Sequence, residues 1–192
     1  MPQPDHITAL DLPLPALEEL DDDMRAYFEK CQEKLGLIPN VLRAYSFHRD
    51  KFWTFARLYN ELMLADSGLS KLEREMIAVV VSCHNHCYYC LVAHGQTVRA
   101  LSGDPQLGEM LVMNYRTAEL SPRQRALLDF AWTLTATPWV VDEPHRVALR
   151  EAGFSDADIF DITQIVGFFN FTNRVALGTD MMPNPEYHGM SR

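Results

Sequence analysis

The sequence predicts an all-α fold built on a duplicated helical hairpin, and three observations carry that prediction. Apolar residues recur at helical spacing through most of the chain. Val79-Val80-Val81 could pass for a strand. It continues a helix opened by a clear cap, Ser70 with Glu73 three residues on. The chain also repeats itself faintly at an offset of 51: Leu69/Leu120, Ser70/Ser121, Arg74/Arg125, His94/His145 and Arg99/Arg150 coincide. Two copies of one hairpin account for this, a chemically equipped one over about 69–102 and a degenerate one over about 120–152. In the second copy Glu75, Cys87 and Cys90 become Ala126, Pro138 and Val141.

Taken in order, residues 1–14 read as an extended arm with three prolines, and residues 15–192 as a single all-α domain. Helical patterning runs from near Pro15 to about Leu35, where "GLIPN" breaks it. Shorter helices follow over roughly Val41–Ser46 and Arg49–Ala65. The latter carries Phe52, Phe55, Leu58, Tyr59, Leu62 and Met63 as a wide apolar stripe. With Trp53, these aromatics exceed what one small core needs, which predicts an obligate oligomer. "DSGLS" ends that helix and starts the capped one. A turn near Asn85 then reverses the chain into a helix that runs to about Leu101.

The composition excludes several function classes. Hydrophobic residues make up 47% of the 192 and charged residues 22%, enough apolar material for a core without disulfide staples. The net charge of −9 repels phosphate backbones, so no nucleic-acid partner is expected. No apolar run is long enough to span a membrane. The acidic, proline-rich start lacks the features of a signal peptide, so a cytoplasmic, reducing location is the default. Asn170-Phe171-Thr172 matches a glycosylation sequon within an apolar helical segment and reads as chance.

The chemistry concentrates in "SCHNHCYYCLVAHGQ", Ser82–Gln96, which holds three of the four cysteines and three of the seven histidines. Cys87 falls in the first turn of the new helix, where free N–H groups and the helix dipole favour a thiolate. Cys90, at i+3, lies close enough for a reversible disulfide. His94, at i+7, shares their helix face and can exchange a proton with the Cys90 sulfur. Folding the hairpin about Asn85 brings Glu75 level with residue 95, beside His94. The small Ala93 and Gly95 permit a close crossing there. Glu75 sits among apolar residues and can orient the imidazole. Glu73 is the decoy, serving the cap and a solvated face. Cys83 reads as a buried small residue and Cys31 as a bystander. The same residues leave two other readings open. Cys83, Cys87, Cys90 and His94 or His86 could hold zinc, although all of them lie in one short segment with no distant second pair. The cysteines could also be mere packing.

The pattern E-x11-C-x-x-C-x3-H, here Glu75, Cys87, Cys90 and His94, resembles the alkylhydroperoxidase D-like branch of the carboxymuconolactone decarboxylase superfamily. "EKLGLIPNVLRAYSFH" and "FNFTNRVALGTDM" resemble segments of its peroxidase-related subgroup, so about Tyr27 to Met182 is covered. The resemblance implies an all-α helical bundle that assembles as a homo-oligomer, commonly a trimer or hexamer. It implies a thiol-dependent hydroperoxide reductase taking a peroxide substrate and electrons from a thiol or dithiol reductant. Cys90 would be peroxidatic, Cys87 resolving, and His94 with Glu75 the proton relay. No haem, flavin or other cofactor and no metal is implied. The best-studied branch has a further histidine directly before the second cysteine, where this chain has Tyr89, a poorer proton shuttle at neutral pH. His86 or His84 could substitute. The competing functions are a lyase of the superfamily's decarboxylase type, which has no need of the cysteine pair, and a non-enzymatic redox-sensing or zinc-binding module.

Overall fold

The computed structural model describes residues 3–192 and shows nine α-helices and no strand among them. Residues 1 and 2 of the predicted arm lie outside the described residues. None of the helices is long and apolar enough to cross a membrane.

The arm itself is extended and bonded to the end of the last helix. Ala9 N–H donates to Thr179 O at 2.9 Å, and Met182 N–H to Ile7 O at 3.0 Å. The first helix begins later than expected. Leu17–Glu19 make only a tight single turn, and α1 spans Asp22–Leu35. Asp21 is the reason: its carboxylate accepts the Met24 N–H at 2.9 Å and caps the helix there. Gly36, at φ +74°, closes α1 in a left-handed conformation that suits glycine. Short α2 (Asn40–Tyr45) is bracketed by the C-terminal segment, with Asn184 Oδ1 accepting from Asn40 N–H at 2.7 Å.

Helix α3 spans Arg49–Leu64. Its aromatics are used internally, contrary to the expectation of a spare stripe. Phe52 and Phe55 are buried, and Trp53 and Tyr59 half-buried. Phe52 packs edge-on to Tyr27 and Phe28 from α1, and Phe55 stacks on Tyr45 of α2 at 4.5 Å. The aromatics of α3 therefore give no ground for a second copy.

Helix α4 (Lys71–His84) is the axle of the bundle. Every side chain from Met76 to Val81 is fully buried, because α5 (Tyr88–Ser102), α6 (Pro105–Asn114), α7 (Pro122–Ala136) and α9 (Asp156–Gly178) all pack on it. An all-round apolar sequence is what such a position demands. The capping box at its start is present: Ser70 Oγ accepts from Glu73 N–H, and Glu73 accepts from Ser70 N–H at 2.8 Å.

The predicted second hairpin is α7 and α8 (Glu143–Glu151). Ser121 and Gln124 repeat the capping box. The Arg74/Arg125 coincidence has a shared physical role. Each guanidinium clamps a carbonyl of the loop feeding its own helix, Ala65 O at 2.6 Å and Ala118 O at 2.8 Å.

Glu73 departs from its expected solvated face. It is only 7% exposed and accepts from Arg123 Nε of α7 at 2.7 Å. Arg123 also donates to Gly68 O and Gly153 O and lies over the Phe154 ring. It thereby ties both hairpins to the start of α9. Arg123→Ala should leave the Glu73 carboxylate short of a partner and cost about 1–3 kcal/mol. For a chain of this size that lowers Tm by roughly 2–12 °C, to be read in a thermal melt.

Candidate active site

The hairpin of α4 and α5 turns through Asn85–Cys87, with His86 in the left-handed region at φ +55°. Cys87 is the N-cap of α5, one position earlier than expected, and Cys90 is the third residue of the helix. Both are free, both are buried, and their sulfurs share a hydrogen bond at 2.9 Å. The pair loses its first proton from Cys87. Its thiol is held below the usual range by the Cys90 hydrogen bond, against burial. The Cys90 backbone N–H and the nearby His94 assist. Cys90 is pushed well above the usual range by that same bond and by desolvation. Cys87 is thereby the readier of the two to give up its proton.

One turn further along α5, His94 meets Glu75 of α4 as the hairpin geometry predicts. Glu75 Oε2 accepts from His94 Nδ1 at 2.6 Å, and both side chains are nearly buried. With Nδ1–H committed to the carboxylate, Nε2 is left as the proton-exchanging nitrogen. Phe169 of α9 holds the ring edge-on at 4.7 Å. The reason given for the close approach needs correcting. A side chain at Gly95 would meet Val112 of α6 at 3.4 Å, not α4, and one at Gly108 would meet Arg99 Cγ at 2.7 Å. Small residues close the α5–α6 crossing instead.

The auxiliary candidates divide. Tyr89 is buried, and its hydroxyl accepts the Val41 N–H at 3.0 Å, which fastens α2 to α5. Burial pushes its phenol well above the usual range, so it is no proton shuttle at neutral pH. His86 is exposed and bonds none of the site residues. His84 packs its ring edge-on against Trp132 at 4.9 Å. Cys83 is half-buried rather than buried, and burial raises its thiol. Cys31 is likewise half-buried, with its thiol raised by burial. Among the described residues no group of three or more His, Cys, Asp or Glu is arranged to hold a metal.

Sequence reasoning passed over a polar cluster behind the sulfurs. Asn173 of α9 donates to Ser82 Oγ at 2.9 Å and accepts from Asn85 Nδ2 at 2.9 Å, and Asn85 also donates to Asn170 Oδ1 at 3.1 Å. The readable signal was Asn173 itself. It stands on the buried stripe Ile162, Val166, Phe169, Asn173, Ala176, where an apolar residue belongs. Tyr59 and Tyr187 complete the surroundings of Glu75. Burial, with the carboxylate adding to it, pushes the Tyr59 phenol well up, and the same holds at Tyr187.

Comparison with known proteins identifies relatives of the chain and of its fold. The carboxymuconolactone decarboxylase family matches residues 50–131, the stretch from α3 to α7 that contains Glu75, Cys87, Cys90 and His94. A peroxidase-related protein from Silicibacter sp. TM1040 is 60% identical over the full length of both chains, with a TM-score of 0.96. A peroxidase-related protein from Ralstonia eutropha JMP134, described as an alkylhydroperoxidase AhpD core, is 41% identical over 97% of each chain, with a TM-score of 0.93. The debrominase Bmp8 shares the fold at 18% identity, covering 96% of this chain and 97% of its own, with a TM-score of 0.79. No curated protein matches the chain. With the fold and most of its length shared with these peroxidase-related proteins, the chain belongs to the alkylhydroperoxidase D-like and carboxymuconolactone decarboxylase superfamily.

Proposed function

We propose that the protein is a thiol-dependent hydroperoxide reductase in which Cys90 attacks, Cys87 resolves, and His94 with Glu75 moves protons. The observation that carries this reading is the free cysteine pair 2.9 Å apart, with His94 one turn along the same helix held by Glu75 of α4 at 2.6 Å. The Cys87 thiolate is the base for its neighbour. It takes the Cys90 proton as Cys90 sulfur attacks the outer peroxide oxygen. The O–O bond breaks, Cys90 becomes a sulfenic acid, and the departing alkoxide takes a proton from His94. Cys87, deprotonated again through His94, then attacks the Cys90 sulfur. Hydroxide leaves and is protonated to water, and a Cys87–Cys90 disulfide remains. An external thiol or dithiol returns two electrons and two protons. A lyase acting on a lactone has no use for such a pair.

A cytoplasmic location suits this chemistry, because a reducing compartment regenerates the dithiol. Assembly as a homo-oligomer, a trimer or hexamer, follows from the family resemblance. On α9, Phe160 (65% exposed), Gly167 and Phe171 (54% exposed) lie on one face available to it.

A thiol count tests the reading. One equivalent of hydroperoxide should remove two titratable thiols, which a dithiol restores, in protein free of bound metal. Stoichiometric zinc, or thiols that ignore peroxide, would overturn it. A disulfide that forms once and reverses with dithiol, with no turnover of excess peroxide, would favour a sensor.

A further inference from the structure

The polar cluster behind the sulfurs has two donor hydrogens to spare. Asn173 and Ser82 are both fully buried. Asn85 donates to Asn173 Oδ1, so the Asn173 amide nitrogen must face the other way, toward Ser82. One of its two N–H groups is used by Ser82 Oγ. Ser82 accepts that bond, and among the described residues its own O–H has no oxygen or nitrogen partner, not even the carbonyl one turn earlier on α4. Buried donors of this kind are rarely left unused. The Ser82 carbonyl accepts the Cys87 N–H at 3.0 Å, which places this residue directly behind the pair.

We propose that Asn173 and Ser82 are the thiolate-binding donors of the site: the second Asn173 N–H and the Ser82 O–H are directed at the sulfurs of Cys87 and Cys90 and hold the negative charge that forms when one thiol ionises. Asn85 and Asn170 set the direction of the cradle, and Arg174 Nη1 donates to Asn170 Oδ1 at 3.0 Å at its outer end. The cradle serves both sulfurs, so it follows the charge when the proton passes between them. It also stabilises the sulfur released when a reductant opens the disulfide. The sulfurs respond accordingly. Behind the bond between the two sulfurs and their burial, Asn173 lowers both thiols and Ser82 lowers Cys90. The other titratable groups facing the pair are His94, backed by Glu75, and Tyr89.

This proposal rests on the dithiol reading of the site, but its test does not use peroxide. In a Cys31→Ser, Cys83→Ser background, the pH profile of iodoacetamide alkylation, with the labelled cysteine identified by mass, reports the first thiolate. Ser82→Ala removes the hydroxyl with little change in shape. It should move the midpoint up by about one pH unit, a tenfold loss of thiolate. Asn173→Asp keeps the shape, turns the Ser82 hydroxyl away from sulfur, and should move the midpoint further. Circular dichroism confirms folding, and if Asn173→Asp does not fold, Ser82→Ala decides alone. A folded Ser82→Ala protein with the wild-type midpoint overturns the cradle, whatever the peroxide reaction does. A raised midpoint in a protein that ignores peroxide sustains the cradle and sinks the reductase.

Discussion

Cys90→Ser should abolish hydroperoxide consumption, while Cys87→Ser should allow a single turnover and then stop. The attacking sulfur supplies the electron pair that breaks the O–O bond, and a serine hydroxyl, neutral at any useful pH, cannot replace it. Loss should exceed a thousandfold, the scale seen when a nucleophile is removed from a concerted set. Cys87→Ser removes both the resolving thiol and the base that accepts the Cys90 proton. Its single turnover should therefore be slow and should end as a sulfenic acid on Cys90, which a sulfenate-trapping reagent and mass analysis would locate. The lowered Cys87 thiol makes the opposite outcome informative. If Cys90→Ser still reacts and the trapped sulfenate is on Cys87, the two roles are exchanged while the disulfide chemistry stands.

Glu75→Gln should slow the attack by roughly 10- to 150-fold, the equivalent of one charge-assisted hydrogen bond of about 1.5–3 kcal/mol. The amide keeps the shape of the side chain. It cannot balance the positive charge that His94 carries while passing a proton. It can also turn either its oxygen or its nitrogen to the ring, so the tautomer is no longer imposed. His94 helps to hold the Cys87 thiol down, so the pair should also titrate at higher pH in this variant. Glu73→Gln is the control. It weakens the Arg123 link and lowers Tm, but it touches no site residue, so the rate per folded molecule should stay at the wild-type value. Stopped-flow reaction with hydroperoxide separates the two. Equal rates would remove Glu75 from the mechanism and leave the cysteines and His94.

The parts of the molecule legible in the sequence are those set by local chemistry or by counting along one hairpin. Ser70 and Glu73 announce a cap because a hydroxyl and a carboxylate three residues apart satisfy each other's backbone. Glu75 and His94 are legible because a tight turn at Asn85 fixes which residues face each other across two helices. The parts that were not legible depend on partners from elsewhere in the chain. Glu73 looks like a surface residue until Arg123 arrives from the second hairpin, 50 positions away. Asn173 and Ser82 are 91 positions apart, and nothing in either helix's own spacing announces that they meet. The α3 aromatics looked excessive because the core they fill also draws on α1, α2 and α9, whose packing a single-helix pattern cannot show.

The pairing of the arm with the segment after α9 has a topological consequence. Gln3 reaches Pro183 O, and Ile7 and Ala9 exchange backbone bonds with Met182 and Thr179, so the two ends of the chain lie side by side. Tyr88, at the start of the cysteine helix, touches both ends through Gln3 and His188. These contacts close nearly the whole chain into a ring, a closure whose entropic cost grows only slowly with its length. The segment after α9 is packed rather than loose: Met181, Met182, Asn184 and Tyr187 are buried, and Arg99 of α5 donates to Tyr187 O at 3.0 Å. The ends of the chain thereby adjoin the cysteine helix, and a segment fused to either end would emerge next to it.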